Sequence, residues 1–179
     1  MADLDTALDL AKKNGFTHAA ALKPDTLILM PEVREMCSSN SCGMYDKNWS
    51  CPPGCGTLEE CQQKVSSYHS GILVQTMSKL EDCFDYEAMM KLEILHKENF
   101  MKFRIVLADY YPNLLSLGAG ACTLCKKCTY PDAPCRFPEK SVSSMEAYGL
   151  LVNQICTDNG MLYYYGPSTM TYTSCYLLE

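Results

Sequence analysis

The strongest constraint on this chain is a segment in which three cysteines recur at every third residue and a fourth follows after six intervening residues. These four are Cys122, Cys125, Cys128 and Cys135. A tight loop with this spacing directs successive thiols inward around a compact inorganic core, as in iron–sulfur sites of the ferredoxin type. In such sites the last cysteine can belong to another cluster. Cys135 therefore serves either this site or a second one.

Zinc is the alternative metal for this segment. Zinc sites usually consist of two C-x2-C pairs that are well separated in sequence, whereas three cysteines crowd one loop here. The neighbouring cations Lys126, Lys127 and Arg136 suit a cluster with four thiolate ligands, because they offset its negative charge. The spacing and the charges together favour a 4Fe–4S cluster over zinc.

A second cysteine-rich loop lies upstream, over residues 37–61. We predict four of its cysteines as further metal ligands: Cys37, Cys42, Cys51 and Cys55. The looser spacing leaves three interpretations open. Four thiols bind a second cluster or a zinc ion, three bind a cluster with one iron open to substrate, or some complete the downstream site. The prediction is thus one cluster or two. Cys61 falls inside a predicted helix and is interpreted as a core residue.

Composition and charge restrict where the protein works and what it binds. The N-terminus carries acidic residues where a signal peptide carries basic ones, so we expect a cytoplasmic protein. In a reducing compartment its twelve cysteines favour metal binding over disulfides. The net charge is −6 and no basic stretch occurs, which argues against nucleic acid and anionic membrane as partners. No apolar run approaches the roughly 18 residues that span a bilayer.

Hydrophobic periodicity predicts a single domain over residues 1–179. Predicted helices cover 4–14, 58–68, 85–110 and 145–158, and predicted strands cover 16–23, 26–30, 71–77, 113–120, 161–165 and 170–178. The last two strands are expected to form a hairpin. This order favours an α/β or α+β fold with a single mixed sheet and packed helices. Two metal-binding loops, at about 37–61 and 122–138, are expected to leave strand ends.

Several longer motifs resemble a family of prokaryotic, cysteine-rich proteins that are predicted to bind metal and contain a domain of unknown function. The matching segments are Cys42-Gly-Met-Tyr-Asp-Lys-Asn-Trp-Ser-Cys51-Pro-Pro, residues 56–61, Cys125-Lys-Lys-Cys128-Thr-Tyr-Pro131, Pro134-Cys135-Arg136-Phe-Pro138, and residues 144–149. The resemblance covers nearly the whole chain. It implies a metal-binding domain typical of anaerobic bacteria and archaea, and it brings no reaction with it.

Three functions remain compatible with these observations. The first is an iron–sulfur protein that carries electrons to or from a redox partner protein in an anaerobe. The second is an enzyme that acts on a small molecule through an open-iron cluster near Cys37, Cys42 and Cys51. The third is a binding module stabilised by zinc, in which metal binding supplies the free energy of folding. Neither the redox partner nor the small-molecule substrate is identified by the sequence.

Overall fold

The sheet has four strands, and the computed structural model, which describes residues 3–179, pairs them in one antiparallel array. The strands are β1 (His18–Leu22), β2 (Ser70–Lys79), β3 (Leu114–Leu117) and β4 (Thr169–Leu178). Their order across the sheet is β1-β2-β4-β3. The two central strands, β2 and β4, pair along all ten residues of each. The predicted single sheet with packed helices is confirmed, in its α+β form, and the sheet is antiparallel rather than mixed.

Helices cover both faces of this sheet. They are α1 (Leu4–Lys13), α2 (Pro31–Ser38), α3 (Leu58–Val65), α4 (Tyr86–Ala108) and α5 (Val152–Asp158). Residues on β2 alternate between the faces: Ile72 and Val74 pack with α1 and α4, whereas Leu73 packs with α3 and α5. No helix in residues 3–179 is both long and apolar enough to cross a membrane.

Local signals account for the elements that were predicted correctly. Thr57 and Glu60 form the expected capping box, in which each side chain accepts a hydrogen bond from the other residue's backbone N–H at the start of α3. At the start of α4, Asp85 accepts from the backbone N–H of Ala88. Each cap satisfies N–H groups that have no partner inside the helix, so residues close in sequence determine where the helix begins.

The hairpin predicted at 161–165 and 170–178 is wrong. The second segment forms β4, but β2 and β3 occupy both edges of that strand, so no edge is left for a neighbour in a hairpin. Residues 161–165 are instead hydrogen-bonded to the buried side chain of Gln75, which lies on β2. Gln75 donates to the carbonyl of Leu162 (2.9 Å) and accepts from the hydroxyl of Tyr165 (2.7 Å).

Two other predicted elements also need correction. The strand predicted at 26–30 is a 3-10 turn, Pro24–Thr26, followed by a single bridge between Leu29 and Leu150. The helix predicted at 145–158 is divided into a 3-10 turn, Glu146–Tyr148, and α5. Gly149 divides it with a φ of 83°, and a side chain there would meet the backbone of Met30 at 2.9 Å.

The cysteine loops leave the fold at different kinds of element. The second loop follows β3, as expected. The first does not leave a strand end: it begins in the last turn of α2, a helix that was not predicted, and runs to the start of α3. Pro31 at the first position of α2 and Glu32 beside it are helix-start signals that were available in the sequence.

A buried polar network crosses the interface between α4 and the sheet. His96 on α4 bonds through Nδ1 to the Thr76 hydroxyl (2.8 Å) and through Nε2 to the Ser174 hydroxyl (2.7 Å). Its side chain is almost fully buried. Desolvation, with a smaller contribution from the charge of Lys97, lowers the pKa of His96 from 6.5 to about 4.

This shift predicts an acid-sensitive fold. As pH falls from 6.5 to about 4, the unfolded imidazole takes up a proton that the folded one resists. The free energy of unfolding therefore decreases across this window, by about 3 kcal/mol in total. Urea denaturation at pH 7 and pH 4.5 measures the loss in the wild type and in His96→Gln, which has no imidazole and should lose less. An equal loss in both proteins would contradict the prediction.

Candidate metal centre

The second cysteine loop gathers its four predicted ligands around one cavity. A glycine-rich bend at 118–120 follows β3, and the chain then encloses a space of about 360 Å³. All four thiols line it: Cys122, Cys125, Cys128 and Cys135. Each of them is half-buried. The structure thus places the four cysteines that were predicted from their spacing, including Cys135, around one cavity. Their role as metal ligands stays a prediction.

The opposite wall of this cavity comes from residues 43–50 of the first cysteine loop. Trp49 donates its indole N–H to the carbonyl of Ala133 (3.1 Å) and packs edge-on against the Tyr130 ring, with centroids 4.9 Å apart. The Tyr130 hydroxyl donates to the Asp46 carboxylate (2.8 Å). The two cysteine loops therefore form one structural unit.

Cys128 lies in polar surroundings that favour its charged form. Desolvation alone would raise the pKa of its thiol. Backbone N–H groups of Tyr130, Trp49 and Thr129 donate to the sulfur and, with the charge of Arg136, lower the pKa of Cys128 below its ordinary value. This environment stabilises a thiolate, which is the form of cysteine that binds metal.

The four thiols surround a space rather than meet at a point. Within residues 3–179, no three histidine, cysteine, aspartate or glutamate side chains lie close enough together to hold a single metal ion. A zinc ion requires four sulfurs at about 2.3 Å from one centre. A cluster of several metal atoms accepts thiols that stand further apart, because its own atoms fill the space between them.

Three thiols of the first loop form a second group. Desolvation raises the pKa of Cys37, and the neighbouring charges of Cys51, Glu146 and Cys42 raise it further. Desolvation also raises the pKa of Cys51, against the effect of a hydrogen bond from Asn48. Cys55 contributes to the pKa shift of Cys51 as well, so the thiols of the first loop influence one another electrostatically.

The fourth predicted ligand of this loop, Cys55, has different partners. Its sulfur accepts a hydrogen bond from Nη2 of Arg34 (3.2 Å), and the same nitrogen donates to the Gly56 carbonyl (2.8 Å). The thiol of Cys61, which is fully buried in α3, donates to the carbonyl oxygen of Cys55 at 3.9 Å. The interaction between the two thiols lowers the pKa of Cys61 to about 7 and raises that of Cys55, because the pair shares one proton. Arg34 was missed because α2 was not predicted.

A wider cleft of about 580 Å³ lies between the two loops. Cys55 and Cys135 both line it, together with Trp49, Lys64 and Tyr148. Cys135 therefore faces the cleft as well as the cavity of the four thiols. A small molecule in this cleft would contact one thiol from each cysteine loop.

Comparison with known proteins places this arrangement in a family. No curated protein and no solved structure is significantly similar to the chain. A family model described as a predicted metal-binding protein (DUF2284) matches residues 20–178. The match includes both cysteine loops and strands β2, β3 and β4. The chain therefore belongs to this family of predicted metal-binding proteins.

Proposed function

We propose that the protein holds a 4Fe–4S cluster on Cys122, Cys125, Cys128 and Cys135 and transfers single electrons in the cytoplasm of an anaerobe. The observation that carries the proposal is that four thiols line one cavity of about 360 Å³, while no three potential ligands in residues 3–179 meet around a single ion. This arrangement suits a cluster better than the alternative, zinc. The cluster would supply one-electron redox chemistry.

The surroundings of the thiols support a negatively charged centre. Backbone N–H groups donate to the Cys128 sulfur, as is common around iron–sulfur clusters, where such bonds raise the reduction potential. Lys126 and Lys127 line the same cavity, and Arg136 acts on Cys128. These cations offset the charge of four thiolates and a reduced cluster.

The position of the loop favours exchange of electrons with a partner protein. Leu124, Lys126 and Lys127 line the cavity of the four thiols and are also exposed to solvent. A partner can therefore approach the cavity closely, which short-range electron transfer requires. The exposed lysines favour a partner with an acidic surface, because complementary charge accelerates encounter.

A second function is favoured by a separate observation. Cys37, Cys42 and Cys51 influence one another electrostatically, and Cys55 also acts on Cys51 but is held by a hydrogen bond from Arg34. Three thiols whose fourth neighbour is held elsewhere would suit a second cluster that leaves one iron open to a small substrate. The protein would then be an enzyme.

The ligand set predicts the effect of single Cys→Ser changes. Replacing Cys122, Cys125 or Cys128 by serine should remove most of the iron and acid-labile sulfide from anaerobically purified protein, because each loss leaves an iron without its thiolate. Cys83→Ser, at an exposed position outside the cavity, is the matched control and should keep both. Metal analysis with EPR of the reduced protein tests the prediction. Full metal content in all three variants, or zinc alone in the wild type, would contradict it.

Trp49 is predicted to protect the bound metal. Trp49→Ala removes both the indole bond to Ala133 and the contact with Tyr130 that holds the cavity wall. Loss of such outer contacts weakens metal sites by about 10- to 100-fold, so metal transfer to a chelator should be faster by a similar factor. Tyr45→Ala changes an aromatic residue of the same loop that does not line the cavity, and should have little effect. Equal rates in both variants would refute this role for Trp49.

The second function makes its own prediction about stoichiometry. If Cys37, Cys42 and Cys51 hold another cluster, the wild type should contain about twice the iron of Cys51→Ser. Its EPR spectrum should also change when cyanide, a ligand for an open iron, is added. Equal iron in wild type and Cys51→Ser, with a spectrum that cyanide does not alter, would exclude this function.

A further inference from the structure

The pair formed by Cys55 and Cys61 stands apart from the cysteines assigned to metal. The Cys61 thiol donates to the carbonyl oxygen of Cys55 at 3.9 Å, and each of the two thiols shifts the pKa of the other. The guanidinium of Arg34 donates to the Cys55 sulfur at 3.2 Å. The pair therefore consists of two adjacent sulfurs with a fixed cation beside one of them.

The two thiols differ in their access to solvent. Cys55 is half-buried and lines the cleft of about 580 Å³, so a small molecule in that cleft can reach its sulfur. Cys61 is fully buried in α3, where its thiol donates to the backbone carbonyl of Cys55. In thiol–disulfide exchange, an accessible thiol beside a cation attacks the substrate disulfide. A second, buried thiol next to it then attacks the resulting mixed disulfide.

We propose that Cys55 and Cys61 form a thiol–disulfide exchange site for small disulfides that enter the cleft. Disulfides in reducing compartments are mostly transient and catalytic or redox-sensing, which suits a pair joined by a short loop. The site is distinct from the four thiols at Cys122 to Cys135, so it does not depend on the metal there.

The exchange proceeds in two balanced steps. The pair of thiols loses one proton, and in the form in which Cys61 keeps the remaining proton, the Cys55 thiolate lies beside Arg34. This thiolate attacks one sulfur of the substrate disulfide, and the other substrate sulfur leaves as a thiolate. Cys61 then gives up its proton and attacks the Cys55 sulfur of the mixed disulfide, which releases the second substrate thiolate. The two protons end on the released thiols. Two protein thiols are oxidised to one disulfide, and one small disulfide is reduced to two thiols.

The charges near the pair indicate which disulfides the site accepts. Lys64 lines the cleft, and Arg34 holds the Cys55 sulfur. Asp132 lines the cleft as well, on the side of the second cysteine loop. Lys64 is the cation in the lining of this cleft, and it favours a disulfide that carries carboxylates, for which glutathione disulfide is a suitable probe.

The experiment treats the anaerobically purified full chain with glutathione disulfide, alkylates the remaining thiols and digests the protein with trypsin. Residues 48–64, which lie between Lys47 and Lys64, form one peptide containing Cys51, Cys55 and Cys61. We expect this peptide to lose two hydrogens through a Cys55–Cys61 bond while Cys51 is alkylated. The bond should form about tenfold faster than any adduct on Cys83, an exposed thiol.

Two variants separate the steps. Cys61→Ser should accumulate a mixed disulfide with glutathione on Cys55, because the resolving thiol is missing. Cys55→Ser should leave Cys61 unmodified, since Cys61 is buried. Both variants should keep the iron content of the wild type. The proposal is overturned if Cys55 pairs with Cys51, if Cys83 reacts as fast as Cys55, or if Cys55→Ser loses iron, which would make Cys55 a metal ligand.

Discussion

Trp49 and the residues it contacts hold the two cysteine loops together, and both the cavity of the four thiols and the cleft beside it are lined by Trp49. The indole N–H of Trp49 bonds to Ala133, 84 positions away in sequence, and its backbone N–H donates to the Cys128 sulfur. A hydrogen bond and an aromatic pair each contribute only about 1 kcal/mol. Such a junction sets the geometry of the loops but stabilises them modestly. Bound metal would add the free energy that fixes them, since metal binding and folding are coupled in sites of this kind.

The segment from Ser144 to Gly149 connects these loops to the rest of the fold. Gly118, at the entrance to the second loop, forms a parallel bridge with Ser144. In the other direction, the carbonyl of Glu146 lies 4.0 Å from the Cys37 sulfur and that of Ala147 lies 3.6 Å from the Cys55 sulfur. Gly149 brings the chain against α2 closely enough to exclude any side chain. These contacts with Gly118, α2 and the first loop account for the segment. Glu146 contributes a backbone carbonyl and a nearby charge to the first loop.

The parts of this structure that the sequence predicted are those fixed by neighbouring residues. Only a few neighbouring positions determine the capping box of α3. The same is true of the grouping of Cys122, Cys125 and Cys128. The hairpin failed because the place of β4 between β2 and β3 depends on pairing across the whole chain. For the same reason, spacing did not reveal that Trp49 lines the downstream cavity or that Arg34 reaches Cys55. Cysteine spacing identifies local ligand sets, whereas the walls and charges around them come from distant segments.

Twelve cysteines in one chain do not form one chemical class, because burial and neighbouring groups divide them. Burial raises the pKa of Cys156 and Cys175, which pack among apolar side chains on one face of the sheet and stay protonated and unreactive. Cys128 has the opposite environment, with N–H donors and a cation that stabilise its thiolate. Cys55 lies between these extremes, since it has a cation on one side and a buried thiol on the other. The number and spacing of the cysteines indicated metal binding in this chain. The local dielectric and the hydrogen bonds of each sulfur determine whether it suits metal binding, suits disulfide exchange or only packs in the core.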